Sequence, residues 1–163
     1  MSKRRAIRDR NMFDEQTSTS LVAMLNQTLA DTLDLAYQTK QAHWNVKGFN
    51  FYGLHLLFDD LHAKLIIHID EVAERVVAIG GQAMGTIRIA GQTSHLAEYP
   101  LEALDSKVHV NALVDRYGEY GSRVRSAIAQ AEKLGDQDTA DLYTTVSRAM
   151  DKALGLLTAH QEA

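Results

Sequence analysis

Two pairs of side chains that could bind a metal stand on one stretch of the chain. His55 and Asp59 are four residues apart, and so are Asp70 and Glu74, all within residues 51–80, FYGLHLLFDDLHAKLIIHIDEVAERVVAIG. Read as one helix at 100° per residue, the four side chains leave in a sector about 100° wide. The chain has no cysteine, so disulfides and thiolate ligands are excluded and any metal falls to His, Asp and Glu. Carboxylate oxygens with a little imidazole suit iron or manganese, and zinc less comfortably.

Distance decides how the pairs could act together. Asp59 and Asp70 are eleven residues apart, about 16 Å along a helix axis, whereas the donors of one metal lie about 2 Å from it. One straight helix cannot bring both pairs to one ion. A second copy can. If the same helix lies antiparallel across this face, facing positions have a constant sum, and 55 with 74 and 59 with 70 both give 129. A two-fold axis near Lys64 and Leu65 would then join His55/Asp59 of one copy to Asp70/Glu74 of the other, twice, as an isologous interface requires. The spacing predicts a dimer with two sites between its subunits. The same residues also admit an ordinary reading as exposed polar groups and ion pairs, which most helices carry.

The helix that must hold these groups has three faces. Leu54, Phe58, Leu61, Leu65, Ile69, Val72, Val76 and Ile79 form the apolar stripe expected to face the core. Asp60, Lys64, His68, Glu71 and Arg75 are expected to form a mostly solvated back. The third face sets Ala63, Ile66, Ala73 and Val77 among His55, Asp59, His62, Asp70 and Glu74, too apolar for water and too charged for an ordinary core.

Around it, helical spacing predicts a first helix over about residues 17–44, capped by Thr or Ser and lined by Leu21, Met24, Leu25, Thr28, Leu29, Thr32, Leu33, Ala36 and Tyr37. A third is expected over about 106–134, with Asp105 or Ser106 as cap, Gly135 as stop, and Gly118 and Gly121 marking close packing. A fourth is expected over about 138–160. Between the second and third, Gly80, Gly81, Gly85, Gly91 and Pro100 punctuate a long connection in which SHLAEYP could form a helical turn. Four long helices with one crossover in the middle predict an all-α, ferritin-like four-helix bundle. A bundle of that class with metals in its own centre carries Glu-x-x-His on two helices. Here no Glu is followed three positions later by His, which favours sites between chains.

The chain has 163 residues, 45% hydrophobic, enough for one domain over residues 17–163. Residues 1–16 read as a flexible basic tail. Lys3, Arg4, Arg5, Arg8 and Arg10 against Asp9 leave +4 on the first ten residues, and the other twelve Lys and Arg face twenty Asp and Glu. Attraction to phosphate must therefore come from the tail. No apolar run follows the opening charges and none reaches membrane length, so a cytoplasmic protein is expected, with no membrane partner.

The runs HWNVKG at 43–48, Leu54-His55 with Phe58-Asp59, and DEVAER at 70–75 resemble the Dps family, the mini-ferritins that protect DNA in starved cells. The resemblance extends to Thr139-Ala140-Asp141-Leu142, Ser147-Arg148 and Asp151-Lys152. It implies that His43, His55 and Asp59 of one subunit face Asp70 and Glu74 of its dimer partner. On position alone a structural corner with Trp44 is the favoured reading of His43. The resemblance further implies a hollow homo-dodecamer that binds Fe2+ at two intersubunit sites per dimer, oxidises it with hydrogen peroxide as a ferroxidase and stores the Fe3+ mineral. Trp44 would sit near the site, chiefly for packing. Asp136, Asp138 and Asp141 resemble the acidic lining of the family's three-fold pore, although helix capping would account for them as well. Twelve tails could bind DNA by multivalency and place the protein at the nucleoid. The alternative is a structural DNA-compacting shell with little ferroxidase activity. Gly155 departs from the family, where many members carry tryptophan, and local repacking is expected there.

Overall fold

The computed structural model describes residues 13–161, and among these the regular secondary structure is all helix, apart from an isolated bridge between Lys47 and Asp105. The helices are α1 (Glu15–Asn45), α2 (Phe51–Ala78), α3 (Ile87–Thr93), α4 (Ser106–Lys133) and α5 (Gln137–Thr158). The four long ones form the expected bundle, with α3 inside the crossover.

The helix ends follow from local chemistry. α1 starts before Thr17 because Asp14, not a Thr or Ser, is its cap: the carboxylate accepts from Thr17 N at 2.8 Å, so Glu15 and Gln16 are helical. α2 stops at Ala78 because Gly80 takes φ +86°. Gly80 N then donates to Val77 O at 3.0 Å and Gly81 N to Val76 O at 2.9 Å, closing the end of the helix. Gly135, at φ +79°, ends α4 in the same way, with Asp136 N donating to Ala131 O at 3.0 Å. In the crossover, Thr86 caps α3 by accepting from Ile89 N, and SHLAEYP is not helical. The expected turn therefore lies one segment earlier, where a cap precedes the apolar Ile87-Arg88-Ile89-Ala90.

Bonds between elements give the topology. His43 meets His55 and Ala36 meets His62, so α1 and α2 are antiparallel. Thr32 pairs with Tyr120 and Thr39 with Tyr117, so α4 also runs against α1 and hence parallel to α2, as a long crossover permits. The α2 stripe from Leu54 to Ile79 is buried except for the partly buried Ile69, and packs with Leu21, Leu25, Leu113, Tyr143 and Leu157.

Thr28 and Thr32 lie on the apolar face of α1 for a reason. Each threonine hydroxyl gives its one proton to the carbonyl four residues back, Thr28 to Met24 O and Thr32 to Thr28 O. Tyr143 and Tyr120 must then donate to them, at 2.9 and 2.6 Å. Every buried hydroxyl in these pairs is satisfied. Burial pushes the phenols up, Tyr143 to about 12, so they remain donors.

Four expectations change. Tyr37 is 47% exposed, because at 100° per residue it leaves α1 on the side away from the buried Leu21, Leu25, Thr32 and Thr39. The back of α2 is not wholly solvated: His68 is buried with Nδ1 2.9 Å from Glu71, and Arg75 reaches the start of α5. Gly121 does mark close packing, with Met150 Cβ 3.4 Å from where a methyl group would stand, whereas Gly118 borders open space. Gly155 also borders open space, so within the chain nothing repacks around it.

Candidate metal centre

The turn between α1 and α2 is short because Gly48 takes φ +109°, and it is held by Lys47 N donating to Leu104 O at 3.0 Å. That closure lays the last turn of α1 on the first turns of α2. The rings of His43 and His55 stack at 3.8 Å between centroids and 20° between planes. Each holds the other's backbone: His43 Nδ1 is 2.7 Å from His55 O, and His55 Nδ1 is 2.9 Å from His43 O. A carbonyl oxygen only accepts, so both Nδ1 atoms carry protons. The Nε2 atoms of the neutral rings are left with their lone pairs, oriented by a backbone partner as metal-binding imidazoles usually are. His43 is thus both a structural corner and a potential donor.

One turn along α2, Asp59 is exposed and pairs with Lys40 of α1. The hydrogen bond from Lys40 holds its carboxyl below the usual carboxylate range, offset in part by desolvation and reinforced by the Lys40 charge. Asp70 and Glu74 are exposed farther down the same helix. Within a single chain, no group of three or more His, Asp or Glu among the described residues comes together to hold a metal. The five expected ligands therefore fall into two half-sites on one surface. Apolar side chains on the same face of α2 are also exposed, Ile66 at 43% and Val77 at 60%, and Trp44 in the last turn of α1 is 62% exposed. The packing expected of Trp44 is not supplied by this chain.

The three acidic residues of the last helix separate. Asp136 is buried at 2% exposure and caps α5, accepting from Thr139 N at 3.0 Å and from Arg75 Nη2 at 2.7 Å. Burial alone would push its carboxyl up, but Arg75 and Thr139 outweigh that and hold it below its ordinary value. Asp138 and Asp141 are exposed. Lys3, Arg4, Arg5, Arg8 and Arg10 lie outside the described residues.

Two groups near the half-site are not among the five expected ligands. Lys40 neutralises Asp59, and His62 donates from Nδ1 to Ala36 O at 2.9 Å. The antiparallel register would have found both, since 43 with 55, 40 with 59 and 36 with 62 share nearly one sum.

Residues 22–162 match the family model for a ferritin-like domain. The chain is 40% identical over 151 residues to the DNA protection during starvation protein of Agrobacterium fabrum, covering 93% of each. It superposes on DpsC from Streptomyces coelicolor with a TM-score of 0.88 at 28% identity, covering 92% of this chain and 88% of that one. A Dps protein from Vibrio cholerae O1, described as one of a broad superfamily of ferritin-like diiron-carboxylate proteins, aligns with a TM-score of 0.86 at 26% identity, covering 91% and 93%.

Proposed function

The chain belongs to the Dps family of ferritin-like proteins, and from that premise we propose that it oxidises Fe(II) at sites completed between two subunits and stores the ferric product. The observation that carries this reading is the reciprocal histidine pair, in which His43 and His55 fix each other's Nδ1 and leave two Nε2 donors beside Asp59. Asp70 and Glu74 of the partner subunit complete the set when two α2 helices cross antiparallel with facing positions summing to 129. Exposed Ile66, between the half-sites, and exposed Val77, beyond the second of them, support burial of that face against a second copy.

Hydrogen peroxide is the oxidant in this reading. Hard carboxylate donors stabilise Fe(III) over Fe(II) and so favour electron loss, while a small ligand set leaves positions for the oxidant. Peroxide takes two electrons and each Fe(II) supplies one, so two irons and two protons turn one peroxide into two waters. That stoichiometry avoids hydroxyl radical, the chemical sense in which DNA would be protected. The assembly is a dodecameric shell in the cytoplasm, entered past Asp138 and Asp141, while Asp136 holds the end of α5.

Anaerobic Fe(II) loading followed by peroxide, monitored by ferric absorbance, tests the site. His55→Ala/Asp59→Ala should lose the fast phase, and a rate equal to that of the wild type would reject the assignment. The basic tail supports a second role, DNA binding with steep salt dependence. Deleting residues 1–10 should abolish a low-salt gel shift, and an undiminished shift would leave the tail without that role.

A further inference from the structure

His62 lies outside the five-residue set, yet it is prepared as His43 and His55 are. Its Nδ1 donates to a main-chain carbonyl, that of Ala36, at 2.9 Å, so in the neutral ring Nε2 is the nitrogen with the bare lone pair. It is partly exposed, three residues beyond Asp59 on the same face of α2, and an edge contact to Tyr37 at 6.0 Å between centroids limits its rotation. Its position relative to the dyad is fixed by the same sum. In the antiparallel pairing Asp59 faces Asp70 of the partner subunit and His62 lies between that pair and the two-fold axis, about 4.5 Å farther along the helix. An oxidation centre that meets a two-electron oxidant with one-electron donors benefits from two ions in one place.

We propose that His62 is a sixth ligand, which with Asp59 and Asp70 of the partner subunit holds a second ferrous ion on the dyad side of the one bound by the five-residue set. This rests on the intersubunit site described above. The competing role for His62 is to tie α2 to α1 through Ala36 O, and the two roles separate by substitution. In His62→Gln an amide N–H remains to donate to that carbonyl while the imidazole is lost; in His62→Leu both are lost.

Anaerobic calorimetric titration of Fe(II) into the assembled, iron-free protein reads the number of ions held. Wild type should take up two per site, His62→Gln and His62→Leu one, and His55→Ala/Asp59→Ala none there. Equal uptake by wild type and both His62 variants would overturn the role of His62 and leave the shared site standing. Uptake by wild type no greater than by the double variant would instead overturn the shared site. A wild-type crystal soaked anaerobically in Co(II) keeps the proposal open to refutation should a variant misfold. An anomalous peak within bonding distance of His62 Nε2 supports it, and a peak at His55 and Asp59 with none at His62 rules it out.

Discussion

At Asp59 a cation is already present. Lys40 occupies the carboxylate in the single chain, so an incoming ferrous ion must displace an ammonium group before it can use that oxygen. Both groups are partly exposed to water, which limits the pair's strength. Lys40→Met should therefore tighten anaerobic Co(II) binding by about two- to five-fold, the span expected of an exposed ion pair. An unchanged dissociation constant would mean that the lysine swings away without cost. Position 40 shows what residue types alone conceal. His43, His55, Asp59, Asp70 and Glu74 are recognisable as donors by type and spacing, but a lysine is not a ligand and becomes relevant only when α1 is folded against α2. His62 is hidden for a related reason: its type is visible in the sequence, but the direction of its ring depends on a bond to Ala36, twenty-six residues away.

Between elements, the joint that sets the end of α2 against the start of α5 is an ion pair whose every group is used. Arg75 donates to Asp136 Oδ1 and, through Nε, to Thr139 Oγ1 at 2.9 Å, and Thr139 passes its proton on to Asp136 Oδ2 at 2.5 Å. Removing one partner of such a buried pair leaves the other charge uncompensated, so Arg75→Met should cost about 3 kcal/mol, measured as a fall in the denaturation midpoint. The pH dependence has a definite sign. The folded Asp136 carboxyl lies below its ordinary value of 3.8, so its contribution is fully present above that value and is lost as pH falls through the folded one. Asp136→Asn keeps a capping oxygen but has no charge to lose, so its stability should fall less steeply than that of wild type below about pH 4. Parallel acid curves would show that another group governs the transition. The helices themselves were legible because apolar period, caps and Gly80 and Gly135 act locally. The buried pair was not, because Arg75 in the sequence of α2 looks like any solvated cation until α5 arrives beside it. The same holds for α3, whose seven residues carry too little periodicity to stand out without attention to Thr86.

On the scale of the whole molecule, the proposed function gives one chain two incomplete sites, and the register that would complete them is a single number that can be tested without iron. Facing positions summing to 129 place Ala63 opposite Ile66 of the partner subunit, next to the two-fold axis, and both side chains are exposed in the single chain. The native chain has no cysteine, so the one competing partner for each introduced thiol is the other on its own helix, about 5–6 Å away between Cβ atoms and outside disulfide range. Cβ atoms must approach to about 3.8 Å for a disulfide to close, which a shift of one helical turn, about 5.4 Å, would prevent. Ala63→Cys/Ile66→Cys should therefore oxidise to a covalent dimer on a non-reducing gel. Asp60→Cys, on the back of α2 and about 60° round the helix from Ala63, should remain monomeric under the same treatment. Cross-linking of the control but not of the pair would place another face of α2 at the interface. His55 and Asp59 would then have no partner carboxylates, and Asp70 and Glu74 would be surface acids.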